Sequence, residues 1–287
     1  MSARVLRTPP CPGVRFEEGF SRRLAETVLR VKAARERREG SGVPSRLGGG
    51  SEFVGFRPYA PGDDLRGLDW DLLARSDRPW IRVGRREAGE RWLVRLDASA
   101  SMGVGPPGKL QRAAEVAAGI AALALEQRAE ARVVASPGER RIDVARRSSL
   151  PSLLSFLESL RAQGRAERVP PRADPETSRV FRIGDLRGEE PRDLLAMRSG
   201  GRELAVVQIL APVELTPPGE GSITWWDPEG GAELVLAIDA GVRAAYEREL
   251  AAEIDRWRSL CARHGVPFGC FSSAQGFETL LARIAGA

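Results

Sequence analysis

The feature that most constrains the fold is an alternation beginning near residue 91. The run Trp92-Leu93-Val94-Arg95-Leu96 is a short apolar strand that ends at Asp97. An alanine-rich stretch over 109–129 follows, with Ala113, Ala117, Ile120, Ala121 and Ala124 on one helical face. A strand buried on both sides and a helix with one apolar stripe satisfy each other only by stacking helix on sheet. The pattern repeats downstream: strands are predicted over 131–135, 141–145, 179–184 and 204–210, with helices over 150–161 and 191–197. A hairpin over 222–238 carries Trp225-Trp226, read as core with one ring on each face. A long helix over 241–264, a strand over 267–271 and a closing helix over 277–284 complete the chain. Strands separated by helices predict an α/β fold with a mostly parallel sheet covered on both faces.

Upstream the pattern is different. Residues 1–15 read as a flexible leader, and 16–39 as a charged helix with Phe20, Leu24, Thr27/Val28 and Val31 at helical spacing. Its remaining surface is strongly basic and reads as a solvated face. After a glycine-rich break over 40–51 comes a block rich in Arg, Asp and Trp. Within it, Asp63 or Asp64 is expected to cap a short helix running to Arg75, and 79–83 alternates like a strand. Arg57, Arg66 and Arg75 are expected to pair with Asp63, Asp64, Asp69 and Asp71, while Tyr59, Trp70 and Trp80 anchor the block.

Composition removes several classes of function. The chain has 287 residues, 42% of them hydrophobic, which is enough for a packed core. The longest apolar run, 116–125, is half the ~20 residues a membrane helix needs. Arg4, Arg7 and three prolines stand where a signal peptide would be apolar, so a cytoplasmic location is expected. Cys11, Cys261 and Cys270 form no C-x-x-C pair, which argues against a disulfide scaffold or a zinc site. Lysine occurs only at 32 and 109 among 44 basic residues, and asparagine not at all. This arginine excess reads as codon composition. A net charge of +5 over this length gives no basis for expecting a nucleic-acid partner.

Two carboxylates fall at strand carboxyl ends, where open α/β sheets place their ligands: Asp97 in Asp97-Ala98-Ser99-Ala100-Ser101, and Asp185 in Ile183-Gly184-Asp185-Leu186. Serines at i+2 and i+4 can turn their hydroxyls toward the aspartate's own target. Hard oxygens converging in this way suit magnesium. The same residues could equally cap the next helix and close the turn.

The sequence Asp97-Ala98-Ser99-Ala100-Ser101-Met102, before an alanine-rich helix, resembles the metal-ion-dependent adhesion site of von Willebrand factor A domains. The block Gly50-Ser51-Glu52-Phe53, Arg57-Pro58-Tyr59, Pro61-Gly62-Asp63-Asp64, Arg66, Asp69-Trp70 and Ala74-Arg75 is similar to one bacterial family of such domains, the domain of unknown function numbered fifty-eight. The resemblance runs from about residue 48 to the C-terminus. Residues 1–47 then stand as a leader and charged helix before it, and the resemblance implies a family-specific extension over 48–90 and a von Willebrand A-like domain over 91–287 with a hairpin insertion at about 212–239. It also implies a metal site of Asp97, Ser99, Ser101 and Asp185, holding Mg2+ or Mn2+, which engages an acidic residue of a partner. The implied partner is a MoxR-type AAA+ ATPase acting with this chain in chaperone-like remodelling; the client is unknown.

Two departures bear on that site. The family's strand-end aspartate usually follows a serine, and here Gly184 precedes Asp185. The family's ligand threonine belongs in a loop that here reads Gln163-Gly164-Arg165-Ala166-Glu167-Arg168. Arg165 is therefore expected to neutralise Asp97 and Asp185 in place of a metal, or to bind a partner's carboxylate itself.

Enzymatic readings find less support. Gly103-Val104-Gly105-Pro106-Pro107-Gly108-Lys109-Leu110 has the spacing of a phosphate loop, but Leu110 stands where a magnesium-binding hydroxyl belongs and two prolines remove backbone donors. Lys109 then reads as a residue of the helix's first turn. The sole histidine, His264, suits a helix C-terminus, and neither Ser99 nor Ser101 sits in a nucleophile elbow. The expectation is a non-enzymatic interaction module, with a magnesium-dependent hydrolase using Asp97 and Asp185 as the alternative.

Overall fold

The computed structural model describes residues 4–5, 13–39, 53–58, 72–73, 75, 79–84, 90–167, 175–217 and 221–285. Three short pieces precede the main domain: β1 (Arg4–Val5), the helix α1 (Phe20–Glu39), and a ribbon of β2 (Phe53–Pro58) antiparallel to β3 (Trp80–Gly84). The main domain then runs β4 (Arg91–Asp97), α2 (Lys109–Glu126), β5 (Glu130–Ser136), β6 (Arg140–Val144), α3 (Leu150–Glu158), β7 (Thr177–Gly184), α4 (Pro191–Ala196) and β8 (Glu203–Leu210). It closes with α5 (Pro212–Leu215), β9 (Gly221–Trp226), β10 (Glu233–Ile238), α6 (Ala240–Arg263), β11 (Phe268–Ser272) and α7 (Phe277–Ala285).

Six strands form the central sheet in the order β11-β8-β7-β4-β5-β6. Every neighbouring pair is parallel except β5–β6. That exception follows from the connection. Ser136-Pro137-Gly138-Glu139 is too short for a crossover, and Gly138 and Glu139 both take positive φ, closing a tight hairpin.

The side-chain period of two divides β4 between two cores. Trp92, Val94 and Leu96 face the layer that includes α1, α2, α3 and α7, whereas Leu93 joins Val134, Val180 and Val206 in the layer with Leu194 of α4 and Trp257 and Cys261 of α6. The alanine face of α2 is wholly buried and lets the helix lie close on the sheet. Helix α1 belongs to the same layer: Phe20, Leu24, Thr27, Val28 and Val31 are buried as their spacing predicts, and the Phe20 ring lies 4.4 Å from Phe16 and 5.1 Å from Phe277. The domain is thus an α/β sandwich of the von Willebrand factor A kind.

Two sequence expectations change here. Arg4–Val5, assigned to a leader, pairs in parallel with Ile223–Thr224 at the edge of the β9–β10 hairpin; backbone pairing at a free strand edge asks little of the side chains. In that hairpin Trp226 is half exposed and Trp225 only partly buried, and Leu234, Val235 and Leu236 also face out, so neither tryptophan is a core residue. Tyr59, Asp63, Asp64, Arg66, Asp69, Trp70 and Asp71, together with the capping and pairing expected of them, lie outside the described residues, as do the side chains of Arg57 and Trp80. Among the described residues, no helix is long and apolar enough to cross a membrane.

Candidate functional site

Strands β4 and β7 are neighbours in the sheet, so their carboxyl ends deliver Asp97 and Asp185 to the same rim. Both side chains are buried. The two serines join them. The Ser99 amide donates to Asp97 Oδ1 at 2.9 Å, and Ser101 Oγ donates to Asp185 Oδ2 at 2.7 Å. Ser99 and Ser101 Oγ are 3.1 Å apart. Because the single Ser101 proton goes to Asp185, Ser99 is the donor between the hydroxyls. The four residues singled out by the Asp-x-Ser-x-Ser pattern and the later strand end are therefore one hydrogen-bonded chain.

The cations on these carboxylates are not the one anticipated. Arg165 Nε donates to the Glu229 carbonyl in the hairpin turn at 3.4 Å, and among the described contacts it makes none with Asp97 or Asp185. The loop that carries Arg165 does reach the site: Ala100 donates to the Gly164 carbonyl at 2.9 Å, and Gln163 to the Ala98 carbonyl at 3.0 Å. The loop meets Ala98–Ala100 through its backbone, and its arginine extends outward, over the cavity.

Asp97 is neutralised from its own sheet. Arg182 Nη2, on β7, donates to Asp97 Oδ2 at 3.2 Å and to Glu189 Oε2 at 2.9 Å. Burial pushes the guanidinium's pKa down, but Glu189 and Asp97 outweigh that and raise it. Gly184 is what makes room. A Cβ there would lie 2.7 Å from Asp97 Cβ and 3.0 Å from both Asp97 Oδ2 and Arg182 Nη1. Gly184→Ser is expected to cost about 1–3 kcal/mol by overpacking, read as a lower urea midpoint; an unchanged midpoint would show that the strand ends have slack.

Asp185 is held by Lys109. The Lys109 ammonium donates to Asp185 Oδ2 and Glu214 Oε1, both at 2.8 Å, and its side chain is 0% exposed. The Arg187 amide donates to Asp185 Oδ1 at 3.0 Å, with Leu186 between them at φ +62°, a left-handed turn that folds the carboxylate back over its own backbone. Burial drives the Asp185 carboxyl up, and the Lys109 charge, assisted by hydrogen bonds from Lys109, Ser101 and the Arg187 amide, overcomes it and holds the group below its ordinary value. Glu214 is fixed by the short helix α5: its Oε2 accepts the Ala211 amide at 2.7 Å, and Tyr246 Oη donates to its carbonyl at 2.7 Å. Arg187 Nη2 adds a contact to Glu214 Oε1 at 3.3 Å from a half-exposed side chain.

The donor set answers whether Mg2+ or Mn2+ fits. Each oxygen of Asp97 and Asp185 already accepts a hydrogen bond, and the place where a cation would meet Asp185 and Ser101 is filled by an ammonium with no exposed surface. Among the described residues no group of three or more His, Cys, Asp or Glu could hold a metal. As arranged, the residues do not fit a divalent ion.

Above this buried network lies a cavity of about 890 Å3, whose wall includes Ser101, Arg165, Arg187, Trp225, Trp226 and Tyr246. Sequence reasoning did not identify Lys109, Arg182 or Glu214 as parts of the site. The one local signal was a lysine in a helix's first turn, the wrong end of the dipole for a cation unless carboxylates wait there.

The fold is that of a von Willebrand factor A-like domain. The profile of the family described as "Protein of unknown function DUF58" matches residues 55–256, and the chain belongs to that family. Uncharacterized proteins of Mycobacterium tuberculosis (strain ATCC 25618 / H37Rv) and Mycobacterium bovis (strain ATCC BAA-935 / AF2122/97) are 28% identical over 224 residues, covering 71% of this chain and 69% of theirs. Among solved structures, a conserved hypothetical protein BatB from Bacteroides thetaiotaomicron matches with 16% identity and a TM-score of 0.40, and an aerotolerance-related membrane protein from Bacteroides fragilis NCTC 9343 with 16% and 0.41. Each of these matches covers 69% of this chain and 98% of the other.

Proposed function

We propose that this protein is a non-enzymatic, cytoplasmic interaction module that docks an acidic side chain of a partner protein at the rim of its sheet. The observation that carries the reading is the cavity above Ser101, with two arginines and two tryptophans in its wall. Arg187 is half exposed there, and its only carboxylate contact among the described ion pairs is the 3.3 Å approach to Glu214. A guanidinium in such a place can take an incoming carboxylate bidentately, and the adjacent rings supply apolar area for the rest of the docking segment. Asp97 and Asp185, the carboxylates a hydrolase would need as bases, are both already engaged as ion-pair acceptors.

The proposed partner, taken from the resemblance seen in the sequence, is a MoxR-type AAA+ ATPase, with this chain as its adaptor in remodelling. The test is binding of the purified protein to a MoxR-type ATPase from the same genome, with ATP, with ADP and without nucleotide. Nucleotide-dependent binding weakened at least tenfold by Arg165→Glu combined with Arg187→Glu is the expected result. Binding indifferent to both charge reversals, or phosphoester turnover abolished by Asp185→Asn, would contradict it.

A further inference from the structure

We infer that Lys109 is the permanent cation of this adhesion-type site, its ammonium standing where a divalent ion would otherwise lie, so that the site is built to hold its shape without metal. The inference rests on the buried network and not on what docks in the cavity above.

Three observations converge on it. First, Lys109 Nζ meets oxygens of two carboxylates that come from different elements, Asp185 after β7 and Glu214 in α5, both at 2.8 Å. A tetrahedral point charge suits a cluster of separate oxygens, where a planar guanidinium would not. Second, the ammonium shares Asp185 Oδ2 with Ser101 Oγ, the serine that in the resemblance is a metal ligand. Third, the other carboxylate oxygens each already accept a hydrogen bond: Asp97 Oδ2 from Arg182, Asp185 Oδ1 from the Arg187 amide, Glu214 Oε2 from the Ala211 amide. The network holds four carboxylates, of Asp97, Asp185, Glu189 and Glu214, against three cations, of Lys109, Arg182 and Arg187. A divalent ion at Asp185 Oδ2 would have to displace the Lys109 side chain, which is fully buried.

The cation also explains the approach to α2. Lysine at the first position of a helix opposes the macrodipole, and here Gly103–Gly108 carries the chain from β4 to bring that residue under the strand ends. Ser273 Oγ fastens this segment by donating to the Pro107 carbonyl at 2.7 Å.

The test reads melting temperature in the full chain. In the wild type, 5 mM MnCl2 is expected to leave the melting temperature within about 1 °C of its value in EDTA, since a ligand that does not bind the native state does not stabilise it. A manganese-dependent rise of about 5–10 °C, the shift for a ligand present at a hundred times its Kd, would overturn the inference. Lys109→Ala/Glu214→Gln removes the ammonium and one of its two carboxylates, keeping the acceptor for the Ala211 amide. This variant should gain a manganese-dependent rise of that size, and lose it again on adding Asp185→Asn. A folded double variant that manganese does not stabilise would show that the ammonium does not hold an ion's place; should the variant fail to fold, the wild-type comparison decides alone.

Discussion

Lys109→Met should lower the unfolding free energy by about 3–5 kcal/mol, the cost of breaking a buried ion pair from one side. Methionine fills most of the lysine's volume, so the loss reports charge rather than packing. Asp185 and Glu214, both buried, would be left without the ammonium, and uncompensated burial is far more expensive than a surface ion pair is useful. The loss should also depend on pH with a definite sign. In the wild type the Asp185 carboxyl lies below its ordinary value, so its contribution is present above the unfolded value and is lost as pH falls through the depressed folded one. Without the ammonium, burial of Asp185 is opposed only by the hydrogen bonds from Ser101 and the Arg187 amide, so the folded value rises and protonation relieves the site. The deficit measured in urea should therefore be smaller near pH 5 than near pH 8. A deficit below about 1 kcal/mol at both would place Lys109 among ordinary solvated lysines.

Phe20→Ala in α1 should cost about 3–5 kcal/mol, the range for an aromatic truncated in a packed core. The expectation follows from where the helix lies. Despite a strongly basic outer surface, α1 seats Phe20, Leu24, Val28 and Val31 in the same layer as α2 and α7, and the Phe20 ring sits between Phe16 and Phe277. The cavity left would open between helices from opposite ends of the chain, which cannot close it without shifting α7. The readout is the urea midpoint of the single variant at unchanged slope. A change under about 1 kcal/mol would mean that α1 is an appendage and the domain is complete without it.

What could be read from sequence, and what could not, divides along local and distant information. The strands ending at Asp97 and Gly184 were legible because a buried parallel strand is a continuous apolar run, and the α2 face because alanines recur at helical spacing. Ser99 and Ser101 were legible because i+2 and i+4 positions after a strand end depend on local backbone alone. Joining Asp97 to Asp185 needed only the rule that strand carboxyl ends share a rim. Their cations were different. Lys109, Arg182 and Glu214 meet their partners through topology: Lys109 and Asp185 are 76 residues apart, and Lys109 and Glu214 are 105. Arg165 was the nearest cation in the loop that lacks the family threonine, but that loop meets the site through its backbone at Gly164 and turns its arginine toward Glu229. Lys109 did leave a trace, as one of two lysines in an arginine-rich chain, placed where the helix dipole disfavours it.

The most direct measurement of the account is a double-mutant cycle between Lys109 and Asp185, using Lys109→Met and Asp185→Asn singly and together. If the ammonium and the carboxylate truly neutralise each other out of reach of water, removing both should cost less than the two separate losses added, by about 2 kcal/mol or more. Separate losses that simply add, within about 0.5 kcal/mol, would mean that the two charges never meet, and the site described above the first strand would not exist.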